Sequence, residues 1–245
     1  MSRRVAVVTG GASGIGRATV EALLASGARV GAVDLHPEGA PAASVRATAD
    51  VRDQASVDAA VERVRAELGP PEILVNCAGI GAVGTVEDGD DAEWAALFDV
   101  NVMGIVRMAR ACLPHLRLAP NAAIVNVSSV VATVGVPNRA AYSASKGAVS
   151  ALTLAMATDL LADGVRVNCV APGTVFTPWV SRLLDDAPDP TAALASLQAR
   201  QPLGRLGRPE EIAHAILHLA DPCSAFTTGT TLVVDGGMVG LRPAS

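Results

Sequence analysis

Aromatic side chains are almost missing from this 245-residue chain, which holds three Phe, two Trp and one Tyr. A core must therefore be assembled from Ala, Val, Leu and Ile, and with 50% of residues hydrophobic there is ample material for one. Lysine is scarcer still: Lys146 stands alone among 19 basic side chains, the others being arginine. No basic run exceeds Arg3-Arg4 and the formal net charge is −5, which argues against a nucleic-acid surface. The four cysteines, Cys77, Cys112, Cys169 and Cys223, lie far apart in sequence. They lack the paired spacing of a metal site and are too few to staple a chain of this size, so they read as reduced, mostly buried hydrophobes.

His214 and His218 are four apart but carry no H-E-x-x-H pattern, so they read as a helix face and no metal is expected. No stretch approaches the roughly 20 apolar residues that span a bilayer, and the amino end has none of the regions of a signal peptide. A cytoplasmic location without membrane attachment is the expectation. Low-complexity tracts and internal repeats are lacking too, and residues 1–245 read as one domain.

What is present has a rhythm. Short runs rich in Val, Ile and Leu cover 4–10, 28–34, 72–79, 122–129, 165–173 and 231–237, and helical patterns cover 15–26, 54–68, 91–117, 142–163 and 209–220. The strand-like runs are continuous rather than alternating, as parallel strands buried on both faces must be. The expected fold class is α/β, a doubly wound parallel sheet in a Rossmann-type three-layer αβα sandwich. Such sheets bind ligands beyond the carboxyl ends of their strands, which directs attention to Gly10–Gly16, Asp34, Asn76–Gly79, Ser128-Ser129 and Pro172-Gly173.

The first strand runs into TGGASGIG, where Gly10, Gly14 and Gly16 form G-x-x-x-G-x-G. Glycine lets backbone turn tightly and approach a pyrophosphate at a helix amino terminus. No Gly-Lys-Ser/Thr follows, which excludes a Walker loop. Asp34 ends the second strand, twenty residues after Gly14, where a carboxylate can take ribose hydroxyls and repel a 2′-phosphate. Ser13, Leu35 and His36 offer no arginine or lysine to neutralise that phosphate, so NAD is favoured over NADP.

In order and spacing, TGGASGIG (9–16), NCAG (76–79), NVMG (101–104), VSS (127–129), YSASK (142–146), PGTVFT (172–177) and VDGG (234–237) resemble the short-chain dehydrogenase/reductase family over nearly the whole chain. The resemblance implies a hydride-transfer oxidoreductase acting on a secondary alcohol or ketone. It implies a catalytic set of Asn101, Ser129, Tyr142 and Lys146. It also implies a cofactor site of Gly10, Ser13, Gly14, Ile15, Gly16, Asp34, Asp50, Val51, Asn76, Ala78, Gly79, Tyr142, Lys146, Pro172, Gly173, Val175 and Thr177. A homotetramer is implied as well, paired through the helices at 91–117 and 142–163. Two departures stand out: the Asp34–Asp50 interval is short, so the helix after the second strand should shrink to a turn, and Cys77 replaces an asparagine common among relatives.

Tyr142 and Lys146 are i and i+4, on one helix face. A phenol near pKa 10 is a poor base at neutral pH. A nearby ammonium and the positive ring of an oxidised nicotinamide both favour the phenolate. A compact ammonium suits this role better than arginine's planar fork, which accounts for a lone lysine. Ser129 would hydrogen-bond the substrate oxygen; Ser128 reads as structural, and no G-x-S-x-G elbow supports a serine hydrolase. Asn101 corresponds to the family's helix-borne asparagine that holds a water between Lys146 and solvent.

For substrate, Arg139, Arg182 and Arg205 could converge above the nicotinamide, where guanidinium forks suit a carboxylate. Their surroundings, VPNRAAYSASK and ARQPLGRLGRPEEIA, resemble 2-keto-3-deoxy-sugar-acid and cytosolic hydroxybutyrate dehydrogenases, so a small hydroxy acid or sugar acid is expected, bound by Ser129, Tyr142 and these arginines. Two alternatives stay open: an NADPH-dependent ketoacyl or carbonyl reductase, opposed by Asp34, and a non-catalytic NAD-binding protein, opposed by the complete catalytic set.

Overall fold

A computed structural model describes residue 1 and residues 3–242. Seven parallel strands form one sheet: β1 (Val5–Thr9), β2 (Arg29–Asp34), β3 (Val45–Thr48), β4 (Ile73–Asn76), β5 (Ala123–Val127), β6 (Arg166–Pro172) and β7 (Thr231–Val234). Their spatial order is β3-β2-β1-β4-β5-β6-β7. The order reverses between β1 and β4, and the crevice that opens at such a reversal lies beyond the strand carboxyl ends. Alternate residues of β1 serve opposite faces, as a period of two requires. Val5 and Val7 join a cluster with Val57, Val61, Met108 and Leu116, while Ala6 and Val8 join one with Val20, Leu23, Ile212 and Ile216. The first cluster is roofed by α2 (Gln54–Leu68), α4 (Gly104–Leu116) and α5 (Ala140–Asp159), the second by α1 (Gly14–Ala25) and α8 (Pro209–Ala220). The doubly wound sandwich is therefore as expected, and each fully buried Leu or Ile contributes about 1.5–3 kcal/mol to it.

Four details differ from the sequence reading. The third strand, VRAT, belongs to no apolar run, because only Ala47 is buried, Val45 and Arg46 are partly covered and Thr48 is exposed. The helix expected across 91–117 is α3 (Asp91–Phe98), a π-turn over Asp99–Met103, and then α4. An extra residue in one turn leaves no trace in a 3.6-residue period, and such turns concentrate at functional sites. The helix placed at 142–163 starts at Ala140 and stops at Asp159. Finally, the segment after PGTVFT contains α6 (Pro178–Asp185) and α7 (Pro190–Ala199), short helices with Pro at their first turns and Thr177 and Asp189 as caps. The short Asp34–Asp50 interval holds one 3₁₀ turn, Pro37–Gly39, in place of a helix.

Candidate active site

A cleft of about 810 Å³ opens at the carboxyl ends of the strands. One end is built mainly from backbone. Gly10 and Gly14 have φ of 65° and 50°, in the left-handed region that side chains disfavour. A Cβ on Gly16 would lie 2.1 Å from the Gly10 carbonyl oxygen, so only glycine lets α1 start this close to the turn. Ser13 caps α1 without a side-chain hydrogen bond, and no acidic residue occupies the first turn. The free N–H groups and the positive end of the helix dipole thus face the cleft, an arrangement that fits a dinucleotide's pyrophosphate. Thr9 Oγ1 accepts hydrogen bonds from the Cys77 and Ala78 N–H groups, both at 3.1 Å, and fixes the β4 loop against this turn.

Asp34 lines the same end. Its two oxygens accept from the Ala12 and His36 N–H groups, each at 3.1 Å, so the carboxylate is oriented before any ligand arrives. Asp50 and Val51 line the cleft beside it, together with Arg52, which sequence reasoning missed. Arg52 clasps Asp50 at 2.7 Å, and that hydrogen-bonded ion pair holds the Asp50 carboxyl below its usual range. Asn76 was expected at this end but lies beneath it. It is 3% exposed, does not line the cleft, and donates to Asn126 Oδ1 at 2.9 Å as part of the buried join between β4 and β5. The Cys77 thiol is pushed up to about 12 by burial, so it remains neutral.

At the centre stand Ser129, Tyr142 and Lys146. Lys146 is 5% exposed, donates from Nζ to the Val127 carbonyl at 2.8 Å, and lies 5.7 Å from the Tyr142 ring centroid. Burial lowers its ammonium from the usual 10.5 to about 8. Burial pushes the Tyr142 phenol up, while the Ser129 hydroxyl and the Arg139 charge pull it back. Ser129 sits at the start of a 3₁₀ turn, Val130–Ala132, and accepts from the Val131 N–H at 3.4 Å. Ser128 instead ties β5 to α5, donating to the Lys146 carbonyl at 2.8 Å. Asn101 is buried behind Gly79 rather than in the cleft. Its Oδ1 accepts from the Ile80 N–H at 2.8 Å, and its Nδ2 donates to the Ile80 carbonyl and to Ser145 Oγ.

The far end is built from side chains. Pro172, Gly173, Val175 and Thr177 lead the chain along the cleft, past the glycine turn at Gly14, into α6 and α7, and Trp179, Arg182 and Arg200, the last just after α7, line the cleft with Arg139. Arg205 is not there. Its guanidinium pairs with Glu211 at 2.6 Å and lies outside the cleft lining. Glu211 is pinned at the third position of α8, where it also accepts from the Arg208 N–H, and these contacts hold its carboxyl down at about 2. Arg200, in the same ARQPLGR stretch, takes the place expected for Arg205. The lone signal for Trp179 was its rarity in a chain so poor in aromatics. Among the described residues no group of His, Cys, Asp and Glu could hold a metal, and no helix is long and apolar enough to cross a membrane.

Residues 10–239 match the protein family described as Enoyl-(Acyl carrier protein) reductase. The chain is 42% identical to cis-4-hydroxycyclohexanecarboxylate dehydrogenase of Sinomonas cyclohexanicum, with 96% of each chain covered. Its fold superposes on ligand-free aldohexose dehydrogenase of Thermoplasma acidophilum with a TM-score of 0.93 at 33% identity, covering 100% of this chain and 97% of that one. It also superposes on the NADPH-bound structure of a short-chain oxidoreductase of Pseudomonas aeruginosa PAO1 with an atypical catalytic center, at TM-score 0.90 and 39% identity, covering 99% of both.

Proposed function

The chain belongs to the short-chain dehydrogenase/reductase family, and from that premise we propose that it is an NAD-linked dehydrogenase of a small hydroxy acid. The observation that carries this reading is a separation of charge along the cleft. Among the described residues, the carboxylates lining it are Asp34 and Asp50, both at the glycine-turn end. Arg139 lies beside Tyr142 with Arg200 near it, Arg182 also lines the cleft, and among the described residues none of the three forms an ion pair. Guanidinium groups left free in a cleft suit an anionic substrate. A relative named for a hydroxycyclohexanecarboxylate agrees with that chemistry.

The glycine turn would hold the pyrophosphate, Asp34 the adenosine ribose, and the Pro172–Thr177 segment the nicotinamide side. A bound nicotinamide supplies the partner for hydride exchange at the substrate carbon. Tyr142 takes the alcohol proton on oxidation and returns it on reduction. Lys146 favours the phenolate by its charge, and Ser129 donates a hydrogen bond to the substrate oxygen. Asn101, buried behind Gly79, fixes the loop beside Lys146. Arg139, Arg182 and Arg200 hold the carboxylate so that the carbinol faces Tyr142.

A second reading, an NADP-linked reductase, draws on Arg52 in the cleft and on the NADPH-bound neighbour. Against it, Arg52 is engaged by Asp50, and Asp34 would meet the extra phosphate. One set of steady-state kinetics separates the readings: NAD and NADP, each with cis-4-hydroxycyclohexanecarboxylate and with its primary amide. The expected result is at least a tenfold kcat/KM preference, roughly, for NAD and for the acid. Parity between cofactors would favour the second reading, and parity between acid and amide would remove the carboxylate.

A homotetramer belongs to the same proposal. Leu154 is exposed in the carboxyl-terminal half of α5 and Leu161 just beyond it, and Val233 and Leu241 are exposed near the carboxyl end, as faces awaiting a second copy would be. A monomer by light scattering at micromolar concentration would refute it. The four free cysteines are compatible with a reducing cytoplasm.

A further inference from the structure

We infer that Trp179 is a positioning residue: its indole holds the Arg139 guanidinium in place and sets the distance between the anion receptor and Tyr142. The inference rests on the reading of the arginine-lined end as an anion receptor. Arg139 is half-buried and has no carboxylate partner among the described residues, so something other than an ion pair must fix it. Two contacts do. Its Nη1 donates to the Ala82 carbonyl at 3.0 Å, and its guanidinium carbon lies 5.3 Å from the centroid of the Trp179 ring, within cation–π range.

The indole is itself immobilised. A Cβ on Gly81 would fall 2.4 Å from Cζ2 and 2.7 Å from Cε2, so the ring edge lies flush against the Gly81 backbone where no other residue leaves room. Trp179 also packs against the cluster that Val180 and Leu184 of α6 form with Leu206. Its ring centroid stands 6.4 Å from that of Tyr142, the planes inclined by 31°. One rigid side chain thus touches the surroundings of both the proton acceptor and the cation. A plain aromatic wall would need neither the Gly81 recess nor the stacked guanidinium. A spacer between the carbinol and the carboxylate needs both.

The test uses two independent readouts on the full-length protein. In arginine-labelled NMR spectra, the Arg139 side-chain resonance, identified by its loss in Arg139→Lys, should be displaced by the indole ring current. It should stay displaced in Trp179→Phe and return to the position of a free arginine in Trp179→Ala and Gly81→Ala. Calorimetric titration of the NAD-loaded protein with cyclohexanecarboxylate, an unreactive anion, should show affinity falling roughly tenfold in Trp179→Ala, with Trp179→Phe restoring most of it. Cyclohexanecarboxamide should bind weakly to all variants and lose little. An undisplaced Arg139 resonance in the wild type, or equal losses for carboxylate and amide, overturns the spacer. If the wild type binds carboxylate no better than amide while the resonance is displaced, the receptor reading fails and Trp179 still holds Arg139.

Discussion

The two ends of the cleft are made from different materials. At the glycine-turn end, backbone N–H groups, left-handed glycines and a carboxylate locked by two backbone donors form the wall. At the arginine end, the side chains of Arg139 and Tyr142 meet around the Trp179 indole. The first surface offers little latitude: one added methyl on Gly16 collides with a carbonyl. The second can be revised one side chain at a time without disturbing the sheet. A fold that keeps its cofactor and changes its substrate needs this division, and Tyr142 and Lys146 stand at the seam.

Substitutions at the seam should have the largest effect, because both ends converge there. Tyr142→Phe removes the proton acceptor and almost no volume, and turnover should fall by at least about 1,000-fold, with NAD affinity changed little. Lys146→Arg keeps the charge, yet a planar fork cannot occupy the buried space from which Nζ reaches the Val127 carbonyl, so it should be nearly as damaging. Near-normal rates in the arginine variant would dissolve the seam and leave the lone lysine unexplained.

The same division decides what could be read from sequence. The central strands and the cofactor turn were legible because their constraints are local: apolar runs buried on both faces, and glycines where the backbone turns. β3 was not, since an edge strand with Arg46 and Thr48 has no continuous apolar signal. α7 buries none of its residues and so carries no core-facing period. Among the arginines, 200 and 205 are five apart in one loop, and nothing local tells them apart. Glu211 decides between them by claiming Arg205 from the next helix. Asn76 resembled a ligand because it ends a strand at the right level, but its partner is Asn126 on the neighbouring strand.

Gly16→Ala sharpens the contrast from the rigid end. Relieving a 2.1 Å contact requires α1 to shift away from the turn, so NAD affinity should weaken by about 100-fold, of the order expected when one such collision costs some 2–3 kcal/mol. Acid and amide should then lose activity equally, whereas an arginine change at the other end penalises the acid alone. Fluorescence titration of NAD with crossed kinetics on both substrates checks this. A loss confined to the acid would mean that the two ends are mechanically coupled.

The smallest effect concerns stability and reverses the sign of the others. Lys146 has a folded-state value of about 8 against the usual 10.5, so the fold disfavours its charged form. Below pH 8 the ammonium is buried at its full cost, about 3 kcal/mol for such a shift. Between pH 8 and 10.5 the unfolded chain binds the extra proton, so wild-type stability recovers as pH rises, and above 10.5 the handicap is gone. Lys146→Met keeps the volume and removes the charge, while leaving the Val127 carbonyl without its donor at about 1–2 kcal/mol. The inactive variant should therefore be more stable than the wild type by about 1–2 kcal/mol at pH 7, roughly 2–8 °C in melting temperature. That advantage should shrink from pH 8 and reverse by about pH 10, where the lost Val127 hydrogen bond outweighs what is left of the handicap. Melting curves across this range read the sign directly. A methionine variant that melts below the wild type at pH 7 would show that the protein compensates the buried charge. The seam would then be a stabilising contact between the two ends, and the lysine would no longer represent stability given up for catalysis.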